Sequence, residues 1–63
     1  MNTGYAIEDK LPNHLDDVQV YLVTPNMHAF WYSRKCIYLA FAQQFCDDES
    51  QQEISYVARW RPW

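Results

Sequence analysis

Sixty-three residues with eight acidic and five basic side chains leave a formal charge of −3, which argues against a general nucleic-acid binder needing cations to displace phosphate counterions. The length allows one domain, spanning residues 1–63, with too little chain for a large core; such a domain buries only about 60% of its unfolded surface. Eleven aromatic side chains offset the shortage, at roughly 150–250 Å² each. They are too many for all to lie inside, so some should face solvent or a partner.

In chain order, Met1 to Tyr5 reads as a loose arm, and Tyr5-Ala6-Ile7 as an edge strand or a helical turn. Pro12 biases Leu11 toward extended backbone, and Leu11 and Leu15 are expected to plug one end of the core. The clearest strand is Val18 to Thr24, with Val18, Val20 and Leu22 on one face. Thr24-Pro25-Asn26-Met27 has turn chemistry. His28 to Tyr32 is the returning strand of a hairpin, and Ser33-Arg34-Lys35 the next polar turn.

Cys36 to Cys46 can be read two ways. As a strand it places Ile37, Leu39 and Phe41 together; as a helix it stacks Ile37, Phe41 and Phe45. The flanking meander favours a strand through Phe41, with a short helix as the alternative. Asp47 to Glu53 reads as a polar loop. The last stretch alternates, with Ile54, Tyr56, Ala58 and Trp60 on one face and Ser55, Val57, Arg59 and Arg61 on the other. Pro62 should end the pairing or confine it to an edge. The expected fold is all-β (small α+β if residues 36–46 hold a helix), a three- to four-stranded antiparallel meander closed by Trp60.

Glu8-Asp9-Lys10-Leu11-Pro12, Val18-Gln19-Val20-Tyr21 and Ala58-Arg59-Trp60-Arg61-Pro62 together resemble a family of small phage- and prophage-encoded domains of unassigned function. Its members open on Lys-Leu-Pro and close on a His-Trp-Met-Pro-like signature. Arg59 stands here in place of the histidine, and Trp63 in place of a shorter apolar residue. The resemblance covers about residues 7 to 63. It implies a phage context and a small β-rich fold, and brings no catalytic residues.

The chemistry-bearing residues are sparse. His14, His28, Cys36 and Cys46 lack the close pairs that announce zinc, and no metal or other cofactor is expected. No nucleophile elbow or phosphate-cradling loop occurs, so the chain does not read as an enzyme. Met1 to Lys10 does not resemble a signal peptide, and no apolar run of about 20 residues could span a bilayer. These features suggest a cytoplasmic setting in a host cell, with the cysteines reduced and acting as small apolar residues.

Trp, Tyr and Arg are the side chains that most often anchor protein interfaces, which singles out Arg59, Arg61, Trp63 and Tyr32. Trp31 and Trp60 are expected in the core. Asp47, Asp48 and Glu49 form either a solvated loop or an acidic surface that engages a basic groove. The leading expectation is an accessory protein that binds a host or phage protein, in its sharpest form an inhibitor of a bacterial defence system such as a CRISPR effector. A β-rich homo-oligomer, including a homodimer, is the first alternative. A single-stranded nucleic-acid binder is the second.

Overall fold

The computed structural model describes residues 4–63; of the loose arm expected from Met1 to Tyr5, residues 1–3 lie outside the described residues, and Tyr5 is instead held in a strand against Trp60. Seven strands form one antiparallel sheet: β1 (Tyr5–Ala6), β2 (Asp17–Val23), β3 (Ala29–Trp31), β4 (Cys36–Leu39), β5 (Gln44–Asp47), β6 (Glu53–Ile54) and β7 (Val57–Pro62). No helix occurs among these residues, and none is long and apolar enough to cross a membrane.

The order β1-β7-β2-β4-β5-β6, with β3 also on β2, corrects the expected meander of three to four strands. β2 is the axis. One of its edges takes β7 along most of its length, while the other is shared end to end by β4 at Asp17–Val18 and β3 at Tyr21–Val23. β6 and β7 are joined by only Ser55 and Tyr56 yet stand far apart in the strand order. Such a short link requires the sheet to curl back on itself into a small, half-open barrel.

β2 forms as its alternation dictates, with Val18, Val20 and Leu22 buried. They pack with Cys36, Tyr38, Phe45 and Trp60, and Ile7, Tyr32, Ile54 and Val57 lean against this cluster. The hairpin after β2 is a three-residue loop of the kind that places a left-handed residue last: Met27 donates to the Thr24 carbonyl at 2.9 Å and takes φ 67°.

The remaining turns explain where the expected strands break. Gln43 adopts φ 51°, so β4 stops at Leu39, and residues 40–43 form a turn with Phe41 82% exposed at its tip. Phe41 therefore belongs to neither the strand nor the helix expected for 36–46. Tyr56 at φ 66° interrupts the C-terminal alternation. A bulge follows, because Tyr21 pairs with Arg59 but Leu22 pairs with Val57. The extra residue, Ala58, lets Val57 face the same side as Trp60, and Tyr56 turns outward. Leu11 and Leu15 are exposed; the buried residue of that loop is Pro12.

Trp60 is the clasp expected of it. It lies opposite Val20, stacks at 4.9 Å on Tyr5, and gives its indole N–H to the Lys10 carbonyl at 2.8 Å. Pro62 is the last residue of β7, and pairing reaches one residue further, where the Trp63 N–H donates to Asp17 at 3.1 Å. Alternation then turns the Pro62 nitrogen away from β2, toward the edge where no donor is missed.

β1 depends on Gly4, which has φ 87°. A Cβ there would stand 2.3 Å from the Trp60 carbonyl oxygen. Gly4→Ala should cost roughly 1–3 kcal/mol of local strain and loosen β1. Faster hydrogen exchange at the Ile7 amide, which bonds Ala58 at 3.2 Å, would report it; unchanged exchange would mean that β1 tolerates the methyl group.

Candidate functional site

The residues singled out in the sequence fall into two groups. The first is built from alternation. With Val18, Val20 and Leu22 inside, Gln19 and Tyr21 point out from β2, and the register sets Arg61 opposite Gln19, Arg59 opposite Tyr21 and Trp31 opposite Tyr21 on the other flank. The side chains interlock. The Arg61 guanidinium lies 3.9 Å above the Trp31 ring centroid, and its Nε–H donates to Gln19 Oε1 at 2.9 Å. The Gln19 amide in turn donates to the Tyr32 carbonyl at 2.9 Å, and Tyr21 meets Trp31 at 5.2 Å between ring centroids. Arg59 is anchored by a 3.1 Å bond from its terminal nitrogen to the Gly4 carbonyl, while its buried Nε–H finds no partner among the described residues.

Trp31 is thus on the outer face, which corrects its assignment to the core. The hairpin length carries the signal: a three-residue loop after Thr24 puts Trp31 opposite Tyr21, whose side chain faces out.

The second group surrounds Asp47. This residue is 1% exposed, which corrects its reading as part of a solvated loop or partner-facing acid surface. β5 carries it to the inner face opposite Cys36. The Tyr32 hydroxyl donates to its Oδ2 at 2.6 Å and Arg34 Nε reaches the same oxygen at 3.0 Å. The backbone N–H groups of Glu49 and Ser50 donate to Oδ1 at 2.8 and 3.0 Å. The carboxylate therefore shapes the β5–β6 turn from within. These donors, led by the Tyr32 hydroxyl and the Ser50 amide, lower its pKa to about 2 against the opposing effect of burial. The same hydrogen bond to Asp47 raises the pKa of Tyr32.

Asp48 and Glu49 remain at the surface, but neither is free. Lys35 Nζ lies 3.5 Å from Asp48, and Arg34 bonds Glu49. Trp63 is 61% exposed and lines a shallow depression with Ser33, Arg34, Lys35 and the run Asp47-Asp48-Glu49. The structure thus joins Arg59 and Arg61 to Trp31 and Tyr21 on one face. Tyr32 and Asp47 belong to an internal network. Gln19, Arg34 and Lys35 were not expected in these roles; each lies across from its partner only once the register is known.

Cys36 and Cys46 are both buried and unbonded to each other. Burial first, and then the Asp47 charge, pushes the Cys36 thiol up to about 11. It stays protonated at neutral pH and is a poor nucleophile. His14 is occupied structurally, its Nδ1 accepting the Ala40 N–H at 3.1 Å.

The chain matches no known family, no curated protein and no solved structure.

Proposed function

We propose that the protein acts by binding another protein, with no chemistry of its own, and that the outer surface of β2, β3 and β7 is the docking face. The observation that carries this reading is the preordered stack of Arg61 on Trp31, braced by Gln19 and flanked by Tyr21. Trp, Tyr and Arg supply most interface hot spots, and side chains already held in place lose less entropy on docking. Exposed Trp63 lies two positions beyond Arg61, just past the end of β7, and borders this face where it meets Arg34 and Lys35.

The biological setting we infer is that of a phage or prophage accessory protein in the host cytoplasm. Its narrowest form is a steric inhibitor of a bacterial defence system. The Lys-Leu-Pro opening, the small size and the acidity support that setting. An acidic mimic made of residues 47–49 fits less well. Asp47 is consumed internally, and Asp48 and Glu49 already have cationic neighbours. A single-stranded nucleic acid could use the same aromatic and arginine surface, but a charge of −3 opposes it.

Affinity capture from a bacterial lysate, with the wild type beside an Arg61→Ala/Trp63→Ala variant that keeps a native amide spectrum, tests the proposal. A specific protein retained by the wild type and lost by the variant is the expected result. The same protein retained equally by both would remove this face from consideration.

A further inference from the structure

One edge of the sheet is left bare among the described residues. β3 pairs with β2 alone. Tyr32 N–H donates to the Val20 carbonyl and Thr24 N–H to the His28 carbonyl, each at 2.8 Å. Residues 28, 30 and 32 therefore direct their backbone groups at β2. Ala29 and Trp31 direct theirs outward, where no strand among the described residues takes them up.

The other ends of the sheet are protected. At β1 the outward carbonyl of Ala6 accepts the N–H groups of Asp9 and Lys10 at 3.0 and 3.1 Å. β6 is only two residues long and carries Glu53. β3 is one residue longer than β6 and lacks both a capping loop bond and a charge, for no Asp, Glu, Lys or Arg occurs from Val18 through Ser33. An uncharged, unpaired edge is a template for another strand.

We propose that two copies of this chain pair through β3, antiparallel, about a twofold axis at Phe30. The outward residues Ala29 and Trp31 flank Phe30 symmetrically. Each Ala29 then faces the partner's Trp31 and the two exchange N–H···O bonds in both directions. Phe30 meets the partner's Phe30 in the closer, non-hydrogen-bonded position, at about 4.5 Å between Cα atoms. That position suits it. Phe30 lies on the Leu22 side of the sheet but is 45% exposed and outside the core cluster. A second Phe30 beside it supplies the missing cover. The contact is isologous and closes at two copies. It also makes the Trp31 surfaces of both copies continuous. The pairing stands independently of the docking role proposed above.

Sedimentation equilibrium across a concentration series tests it, on the wild type, Ala29→Pro and Phe30→Lys. Proline at 29 removes an outward N–H while sparing the bonds to β2, and lysine at 30 sets two charges on the axis. The wild type should pass from one 7.6 kDa chain to a dimer, with the Ala29 and Trp31 amides gaining protection from exchange as it does so. Both variants should weaken the dimer at least about tenfold. A wild type still monomeric near about 1 mM overturns the proposal. So does growth beyond the dimer, or a dimer whose Ala29 and Trp31 amides gain no protection.

Discussion

Trp60→Ala should leave the chain largely unfolded at room temperature. A chain of this size has a total stability of roughly 3–9 kcal/mol, at 0.05–0.15 kcal/mol per residue, and truncating a buried tryptophan costs about 3–5 kcal/mol. Trp60 is 4% exposed and touches three parts of the fold: Val20 across the ladder, the Tyr5 ring and the Lys10 carbonyl. The substitution opens a cavity under the central strand and unpins the turn that covers β1. Loss of amide dispersion in a heteronuclear spectrum is the expected readout. Trp63→Ala is the internal comparison. Its side chain is largely in solvent, so stability should change by no more than about 0.5 kcal/mol. Equal effects of the two substitutions would mean that the closing role of Trp60 is misassigned.

Asp47→Asn should destabilise the fold at neutral pH and alter its acid limb. The native carboxylate has a pKa lowered to about 2, chiefly by the Tyr32 hydroxyl, against about 3.9 for an unfolded aspartate. A depressed native value means that the unfolded chain binds the proton first. Stability from this group is therefore complete above about pH 4 and lost as pH falls from there toward about 2. Asparagine keeps the size but gives up the charge facing Arg34 and one acceptor, so the Tyr32 hydroxyl or an N–H of the turn goes unmet. Chemical denaturation of both proteins between pH 2 and pH 7 measures the difference. The gap should be widest at neutral pH and shrink through the acid window; a gap independent of pH would show that the Asp47 charge does not contribute.

The fold class, β2, the first hairpin and the closing tryptophan could be read from residue order alone. β2 announces itself through alternation, and Thr24-Pro25-Asn26 through its turn chemistry. The extra strands could not be read, because the turns that create them lack the usual glycine. Leu15, Gln43, Gln51 and Tyr56 all adopt positive φ, a conformation that such side chains disfavour and that nothing in the residue order announces. Gln43 and Tyr56 matter most: one shortens β4, and the other, with the Ala58 bulge, reverses the alternation before Trp60.

The site was partly legible for the same reason. Arg59 and Arg61 share a face because they lie two apart on a strand, and the structure keeps that relation. Trp31 changed sides once the hairpin register was fixed. Asp47 looked like the first residue of an acidic run but is the last residue of β5, and inward-facing at that position. Its partners Tyr32 and Arg34 lie 15 and 13 residues away, a pairing that only the β4–β5 hairpin brings about.

The affinity of a captured partner for two surface variants decides whether the aromatic and arginine face is the docking surface. Arg61→Ala/Trp63→Ala removes the arginine and tryptophan of the proposed face, whereas Asp48→Asn/Glu49→Gln neutralises the exposed acids. Calorimetric titration should find the first weakened by about 30-fold or more, the equivalent of about 2 kcal/mol for a hot spot, and the second within about threefold of wild type. The reverse order would exclude that face and place recognition in the acidic turn.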